Sequence, residues 1–405
     1  MGRMTYGDGS LFERKGRGLW VARLELGWDE RGERRRWEAT SRTKAGALAK
    51  LRQARHDMAT LGTVPDKGTT LEVWLPRWLE EIAKPTLKPR TYADYRSTIN
   101  NHLVPRLGKV PLSKLTPGHV RHMHRDVQAG TSLGTANKAH RVLRASLSDA
   151  EREGLVPRNV AKLVQTPAAK GSRQALTANQ ARLVVSATTT DPMHSRWLAA
   201  LLTGARQGEL LGLQWDRVDL EAGTVDLAWQ LQALAYRHGC SPGAPTCGRK
   251  RAGSCPKRQL DVPEGFEYQV LRGQMCLTRP KSAAGRRIVP IPALLVDALA
   301  KHRRASIASP KPFGLVWADA AGNPLGPDVD LGGWYAALEV AGVAKVPLHS
   351  ARHTTATLLM ELGVDVTVIQ AIMGHSDATT TQLYQHADLT MARRALDGLG
   401  QALAT

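Results

Sequence analysis

The chain lacks a long, uninterrupted apolar segment. Its longest apolar stretch, WLAALLTGA at 197–205, includes Thr203 and Gly204 and is far shorter than the roughly 20 residues of a membrane-spanning helix. The N-terminus, MGRMTYGDGSLFERKGRG, has no apolar core of the kind that a secretory signal needs. These two absences argue against a membrane-embedded or secreted protein, and we expect a cytoplasmic one.

Acidic residues are scarce relative to basic ones. The 405 residues include 56 Lys and Arg but only 36 Asp and Glu, which gives a net charge of +20. Such an excess favours a polyanionic partner, because each phosphate that a cation neutralises releases counterions. A membrane surface is the competing polyanion, but no basic amphipathic anchor or lipidation motif supports it. A nucleic acid is the expected partner, and charge alone does not separate DNA from RNA.

Aromatic and thiol side chains are also few. Aromatic residues make up 5% of the chain and only three are Phe, so the stacking surfaces of single-strand binding modules are not evident. The four cysteines, Cys240, Cys247, Cys255 and Cys276, lie close together in the sequence. In a reducing compartment disulfides are not expected, so metal binding, packing or a chance clustering are the alternatives.

The residues that are present indicate a multidomain α+β protein. The hydrophobic content of 42% suffices for real cores, and the length suits about two to four domains. Residues 1–62 predict a small sheet backed by a helix. A strand at 19–28 places Trp20, Ala22, Leu24 and Leu26 on one face, a return strand follows at 36–40, and a helix runs from Thr43 to about Ala59. This unit is either a DNA-contacting module or a solvated charged hairpin.

Residues 68–166 predict an all-helical domain between two linkers, 62–70 and 167–174. Thr116 followed by Pro117 marks the start of one helix. Basic residues recur along the segment and predict a surface that grips a duplex backbone. They are Lys88, Arg90, Arg96, Lys138, His140, Arg141 and Arg144.

Residues 174–395 predict a mainly helical domain with a small sheet, and candidate functional residues are concentrated there. TGARQGELLGLQW places Arg206 in a Gly-flanked turn before a helix, with Glu209 one turn further on. TRPKSAAGRRIVPI places Lys281 at the tip of a predicted hairpin between strands at 274–279 and 286–291. LHSARHTTAT opens a helix in which His349 lies beside both Arg352 and His353. GHSDATTTQLYQH, at 374–386, contains His375, Tyr384 and His386.

Each of these residues has an ordinary structural interpretation when it is taken alone. Arg206 could form a salt bridge at a helix start, Lys281 could be a surface charge, and Tyr384 could be a core aromatic. As an ordered set with these local contexts, however, they resemble the tyrosine recombinases, specifically phage-type integrases. The resemblance is strong over about 170–390, extends to 70–165 as a helical core-binding domain, and is weaker over 1–62.

The resemblance implies a mechanism and roles for the matching residues. Tyr384 would attack a DNA phosphodiester and form a 3′-phosphotyrosyl ester, so that rejoining needs no ATP. Arg206 and Arg352 would clamp the phosphate oxygens, because guanidinium groups bind them in a bidentate way. Lys281 would protonate the leaving 5′ oxygen, with His349 assisting proton transfer and His375 bonding to the phosphate. Glu209 would support Arg206 and His349, and no metal would be required. His353 and His386 are expected to be structural.

The resemblance also implies an organisation and partners. We expect an arm-type DNA-binding domain at 1–62, a core-binding domain at 68–166, a catalytic domain at 174–395 and a C-terminal tail at 396–405. The expected assembly is a homotetramer on double-stranded attachment-site DNA in a bacterial host cell, integrating or excising a phage or mobile element. A directionality factor is a further expected partner, and a membrane is not. Alternative functions are a type IB topoisomerase and a non-catalytic DNA-binding protein.

Two features leave alternatives open. Residues 392, 396, 399 and 403 form an apolar stripe that would pack either on a neighbouring protomer, as such tails do in the family, or on the chain itself. The segment HGCSPGAPTCGRKRAGSCPKR, at 238–258, is longer than a hairpin requires. His238, Cys240, Cys247 and Cys255 could hold a structural zinc ion, or the segment could be a basic loop that contacts phosphate with incidental thiols. Cys276 is expected in the core.

Overall fold

The computed structural model divides the chain into two compact units, Met1–Lys170 and Gly171–Thr405. It describes residues 9–14, 16, 18–28, 32–62, 64, 68–166, 175–241, 245–280, 285–374 and 389–404. Within the described residues, no helix is both long enough and apolar enough to cross a membrane.

The first unit opens with a three-stranded antiparallel sheet in the order β1-β2-β3. Its strands are β1 (Ser10–Arg14), β2 (Leu19–Trp28) and β3 (Arg34–Ser41), and helix α1 (Lys44–Leu61) follows. Thr43 begins the helix because its hydroxyl accepts a hydrogen bond from the Gly46 amide at 3.1 Å. Ala22 and Leu24 pack on Ala47 and Leu51, which confirms the predicted sheet backed by a helix. Strand β1 was not predicted, since SLFER alternates too little to show a buried face.

The remainder of the first unit is helical, as predicted for 68–166. Two of its helices continue without a break into π-helical turns, at Trp78–Ala83 and Ile99–Leu103. The core is built around Trp74, Trp78 and Met123, each almost fully buried. The α-helices are α2 (Leu71–Arg77), α3 (Pro89–Thr98), α4 (Val104–Leu107), α5 (Pro117–Gly130) and α6 (Leu133–Arg152). Thr116 caps α5, so the predicted helix start is confirmed.

One residue of the predicted basic surface lies in the core instead. His140 is 1% exposed, and its Nδ1 atom lies 2.9 Å from Nε2 of His124. Burial lowers the pKa of His140 to about 4, with smaller contributions from His124 and Arg144, so this imidazole is neutral at neutral pH. The prediction that His140 adds positive charge to the surface is therefore wrong. Lys138, Arg141 and Arg144 on the same helix are exposed, as predicted.

The second unit is mainly helical with short strands. Its helices are α7 (Ala178–Ala187), α8 (His194–Leu202), α9 (Gln207–Leu211), α10 (Ala293–Ala305), α11 (Pro327–Val340), α12 (His349–Glu361), α13 (Val366–Met373) and α14 (Leu389–Ala404). Its strands are β4 (Val218–Asp219), β5 (Thr224–Asp226), β6 (Gln230–Ala233), β7 (Tyr236–Arg237), β8 (Gln259–Leu260), β9 (Tyr268–Arg272), β10 (Met275–Thr278) and β11 (Ile288–Pro290). Together with the first unit, these elements confirm the α+β, multidomain fold class.

The strands on either side of Lys281 belong to different sheets. Strand β10 lies between β6 and β9, whereas β11 pairs with β5. The prediction that 274–279 and 286–291 form one hairpin with Lys281 at its tip is therefore wrong for the described strands. The hairpin partner of β10 is β9, which precedes it in the sequence. The sequence concealed this partner because β9 is mostly exposed and carries no clear apolar face.

The C-terminal helix packs on its own chain. In α14, Leu396, Leu399 and Leu403 are buried in the same core cluster as Trp197 and Trp334. The stripe predicted at 392, 396, 399 and 403 thus covers the core of the second unit. The expected boundary between 395 and 396 falls inside this helix, and the domain limits stay a prediction.

We expect Leu396→Ala to destabilise the second unit by about 2–5 kcal/mol, because it opens a cavity where the side chain is fully buried. The matched control is Met391→Ala on the same helix, since Met391 is 51% exposed. Urea unfolding followed by tryptophan fluorescence measures both variants. Equal, small effects from the two substitutions would show that α14 does not contribute to the core.

Candidate active site

Arg206 lies in a tight turn between two helices. The chain leaves α8 and turns at Gly204, whose φ of +59° is unfavourable for residues with a side chain. A Cβ atom on Gly204 would lie 2.4 Å from the Met373 sulfur, so the position also requires the absence of a side chain. Arg206 is the N-cap of α9, and its backbone N–H donates to Glu209 Oε2 at 2.9 Å. The predicted placement of Arg206 and Glu209 is confirmed.

The Glu209 carboxylate is shared by two arginines. It is 1% exposed, and it accepts from Arg206 Nη1 at 2.8 Å and from Arg287 Nη2 at 3.2 Å. Burial acts to raise the pKa of Glu209, but the charge of Arg287 and the hydrogen bonds from both arginines outweigh burial and lower it. Glu209 is therefore a carboxylate at neutral pH, and it fixes the direction of both guanidinium groups.

Three guanidinium groups meet the last carbonyls of helix α13. Arg287 Nε donates to Ile372 O at 2.7 Å, and Arg352 Nη2 donates to Met373 O at 2.5 Å. Arg206 Nη2 reaches Gly374 O at 3.3 Å. Carbonyls at a helix C-terminus have no partner inside the helix and carry partial negative charge, so cations are favoured there. Gly374 ends the helix in the left-handed conformation with φ of +63°.

Arg352 is the most deeply enclosed of the three. It is 4% exposed and also donates through Nη1 to the carbonyl of Gly204. Burial lowers the pKa of Arg352 to about 10, with further lowering by Arg206 and Arg287 and an opposing contribution from Glu209. Arg352 remains protonated at neutral pH. Among the residues that the structure describes, these three guanidinium groups have one carboxylate partner, Glu209, so three positive charges against one negative leave a surplus of two.

Arg206, His349 and Arg352 line one cleft of about 270 Å³. His349 is the first residue of α12, and its ring meets the ring of His353 edge to face with the centroids 4.7 Å apart. The helical spacing that predicted His349 beside His353 is therefore confirmed. Three of the predicted catalytic residues thus come together on one surface from two parts of the sequence, Arg206 from the start of α9 and His349 and Arg352 from α12.

A buried ion pair forms part of the wall of this cleft. Arg196 and Asp330 are both fully buried, with Arg196 Nη2 donating to Asp330 Oδ2 at 2.7 Å. Gln207, which follows Arg206, donates to the same carboxylate oxygen at 3.0 Å. Breaking a buried pair is costly, because it leaves one charge without a partner. The pair therefore fixes the start of α9 against α11 and, with it, the position of Arg206.

The other predicted catalytic residues, Lys281, His375 and Tyr384, lie outside the described residues, as does His386. Their roles stay predictions. The description of this region ends at Gly374, whose carbonyl contacts Arg206. The arginine cluster therefore lies where the chain enters the segment that contains His375 and Tyr384.

Sequence reasoning missed Arg287, although a signal was available. Residues alternate between the two sides of a strand, and Val289 in β11 is 1% exposed. Arg287, two residues earlier, must point to the same side, whereas Arg286 and Ile288 are exposed. A cation on the buried side of a strand requires a partner, which here is Glu209.

The predicted zinc ligands are brought together in the second unit. One ligand atom from each of His238, Cys240, Cys247 and Cys255 lies within 4.8 Å of the others. Cys276 is apart from them, fully buried in β10 as predicted, and burial raises the pKa of its thiol to about 11.

Comparison with known proteins gives consistent matches along the chain. Residues 70–126 match the phage integrase N-terminal SAM-like domain, and residues 279–391 match the phage integrase family. An integrase of Saccharopolyspora erythraea is 30% identical over 398 residues, which cover 91% of each chain. An integrase of Streptomyces ambofaciens is 26% identical and covers 94% of this chain and 92% of its own.

Solved structures share the fold. The Tn1549 transposon integrase in complex with a circular intermediate DNA has a TM-score of 0.60 at 20% identity, covering 82% of this chain and 99% of that chain. A lambda integrase tetramer bound to a Holliday junction has a TM-score of 0.52 at 17% identity, covering 91% and 96%. The comparisons give no support to a topoisomerase or to a non-catalytic DNA-binding protein.

We expect Glu209→Gln to lower the free energy of unfolding by about 3 kcal/mol at neutral pH, because it leaves Arg287 buried beside an uncharged amide. The folded-state pKa of Glu209 is below its ordinary value of 4.5. The carboxylate therefore stabilises the fold fully above that value, and the contribution is lost as the pH falls through the lower, folded-state pKa.

Urea unfolding of wild type and variant between about pH 3 and about pH 7 measures this difference. Glu221→Gln, at an exposed position of the same unit, is the control. A difference that grows as the pH falls would contradict the assigned direction of the pKa shift.

Proposed function

Because the chain belongs to the phage integrase family of tyrosine recombinases, enzymes that break and rejoin DNA, we propose that the arginine cleft binds the scissile phosphodiester. The observation that carries this proposal is the convergence of Arg206, His349 and Arg352 on one cleft. Counted with Arg287 behind the cleft, the arginines exceed their one described carboxylate partner, Glu209, by two charges. A phosphodiester carries one negative charge and gains another in its pentacoordinate transition state. The surplus therefore matches the charge that develops during the reaction.

We assign the phosphate clamp to Arg206 and Arg352. A guanidinium group has five N–H donors in a fixed plane, so hydrogen bonds to backbone carbonyls leave further donors for phosphate oxygens. Glu209 and Arg287 act through these groups: the carboxylate orients Arg206, and Arg287 joins that carboxylate to Ile372 O. Preorganised donors contribute most to catalysis when they need not move during the reaction.

The chemical step is assigned to Tyr384. Its phenolic oxygen attacks phosphorus, the bond from phosphorus to the 5′ oxygen breaks, and a 3′-phosphotyrosyl ester forms. The phenolic proton passes to a neighbouring base, with His349 assisting, and Lys281 protonates the departing 5′ oxygen. His375 donates a hydrogen bond to the phosphate. Attack by a 5′ hydroxyl reverses each of these steps and restores the DNA backbone without a nucleotide cofactor.

The proposed substrate is a pair of duplex attachment sites, held by four copies of this chain. Residues 1–62 would bind arm-type DNA and residues 68–166 the core site, where Lys138, Arg141 and Arg144 offer exposed charge along α6. The reaction would insert or excise a phage or mobile element in the cytoplasm of a bacterial host, with a directionality factor selecting between the two. The final residues could still contact a neighbouring copy through the exposed side of α14.

Tyrosine recombinases are generally independent of cofactors. We propose that cleavage and rejoining by this chain need neither a metal ion nor ATP, because the guanidinium groups supply the charge stabilisation that a metal would otherwise give. Zinc at the His238 cluster would then have a structural role alone.

Tyr384→Phe is expected to abolish the covalent protein–DNA adduct while DNA binding is kept, because it removes only the nucleophilic oxygen. The assay uses a nicked attachment-site duplex that traps the cleaved state, magnesium-free buffer and denaturing gels. Tyr335→Phe, at a half-buried position of the same unit, is the control and should still form the adduct. A normal adduct yield from the Tyr384 variant would refute the assignment of the nucleophile.

Arg206→Lys and Arg352→Lys are each expected to slow single-turnover cleavage about 10²–10³-fold, because an ammonium group keeps the charge but cannot span two oxygens. Arg304→Lys, at an exposed position of α10, is the charge-matched control and should leave the rate unchanged. Rates are measured with enzyme in excess, so that weaker binding does not mask the chemical step. Wild-type rates in both lysine variants would rule out the bidentate clamp.

A further inference from the structure

The described residues of 238–258, which are 238–241 and 245–258, form a loop that is closed at its base by two short paired strands. Strands β7 and β8 pair antiparallel, with Tyr236 opposite Leu260 and Arg237 opposite Gln259. Between them, Cys255 is the only buried residue among those that the structure describes, and it is fully buried. No described residue of 238–258 belongs to an apolar core cluster. Such a short segment cannot be fixed by hydrophobic burial, so another cross-link is needed.

The four potential ligands already have nearly the separations that a metal requires. Zinc binds sulfur at about 2.3 Å and nitrogen at about 2.0–2.1 Å in a tetrahedron, which puts ligand atoms about 3.4–3.8 Å apart. His238 Nδ1 lies 3.4 Å from Cys247 Sγ, and all four ligand atoms lie within 4.8 Å of one another. Small side-chain rotations therefore suffice to close the site.

The chemical types of the four candidate ligands favour zinc. Three sulfurs and one imidazole nitrogen, with no carboxylate among them, are typical of closed structural zinc sites. A disulfide would use only two of the sulfurs and would give His238 no role. The convergence of all four residues, which are separated along the chain, is explained by one ion that binds them together.

The loop also carries a strong positive charge. Residues 238–258 contain no Asp or Glu, and their five Lys and Arg residues are all exposed. These are Arg249, Lys250, Arg251, Lys257 and Arg258. Three thiolates, a neutral imidazole and Zn²⁺ would together contribute one negative charge, so five positive charges less one leave a net charge of +4. A rigid element with this charge fits the phosphate backbone of a duplex.

We propose that His238, Cys240, Cys247 and Cys255 bind one zinc ion, and that this ion holds 238–258 as a cationic element that contacts the DNA backbone outside the reacting phosphate. The metal site stands on the geometry alone. The DNA contact rests on the proposed function of the chain. Zinc would strengthen DNA binding without taking part in cleavage.

The metal site is tested by elemental analysis of the purified full-length chain after equilibration with zinc and removal of excess ion. We expect about one zinc per chain in the wild type and less than about a tenth of that in Cys247→Ser. Cys247→His, which keeps a zinc ligand, should retain the ion, and Cys276→Ser is the control for loss of an unrelated buried thiol. A wild-type chain without zinc, its four ligands intact and reduced, would overturn the proposal.

The DNA contact is tested by the salt dependence of duplex binding. Loss of zinc should weaken binding about ten-fold or more at moderate salt and reduce the slope of log K against log[salt] by about 0.9 for each phosphate that the element no longer neutralises. The rate of adduct formation at saturating Cys247→Ser should equal that of the wild type. An unchanged slope would reject the DNA contact. The adduct assay of Tyr384→Phe tests only the catalytic assignment, so the two results can fail independently. Circular dichroism verifies that each variant is folded.

Discussion

The site depends on one buried carboxylate that holds two guanidinium groups. Glu209 accepts hydrogen bonds from Arg206, at the start of its own helix, and from Arg287, which directly precedes β11. One side chain therefore joins a helix to a sheet. Arg287 then reaches Ile372 O, and Arg352 and Arg206 contact the next two carbonyls of the chain. The end of α13 is thus fixed by three cations, two of which, Arg206 and Arg287, are positioned by Glu209. Without that carboxylate, the three like charges would have no acidic partner among the residues that the structure describes.

The partners of these cations explain how the site keeps its charge. An arginine paired with a carboxylate is neutralised, as Arg196 is by Asp330 in the wall of the same cleft. Carbonyl oxygens satisfy N–H groups while leaving the formal charge intact. Arg352, with its two carbonyl partners, is therefore fixed in place and still attractive to an anion. Arg206 differs from Arg352, because it contacts a carbonyl and also keeps Glu209 as a carboxylate partner.

The sequence predicted those parts of the fold that have a strong local signal. Alternation marked β2, and Thr43 and Thr116 marked helix starts, because capping and periodicity are decided within a few residues. The partner of β10 was assigned incorrectly because the adjacent strand β9 is mostly exposed and shows no apolar face in the sequence. His140 was misplaced because its sequence neighbours are exposed cations, whereas its burial depends on His124 on the preceding helix. Ordered motifs located Arg206, His349 and Arg352, but only the packing of β11 identified Arg287.

The unbalanced charge of the cleft has a consequence for the resting enzyme. Burial is the main cause of the lowered pKa values of Arg287 and Arg352, and repulsion between the neighbouring guanidinium groups lowers them further. A second acidic side chain at this position would balance the charge and stabilise the fold. If the cleft binds a phosphate as proposed, the anion would balance this charge, so the substrate-bound enzyme would be more stable than the free enzyme.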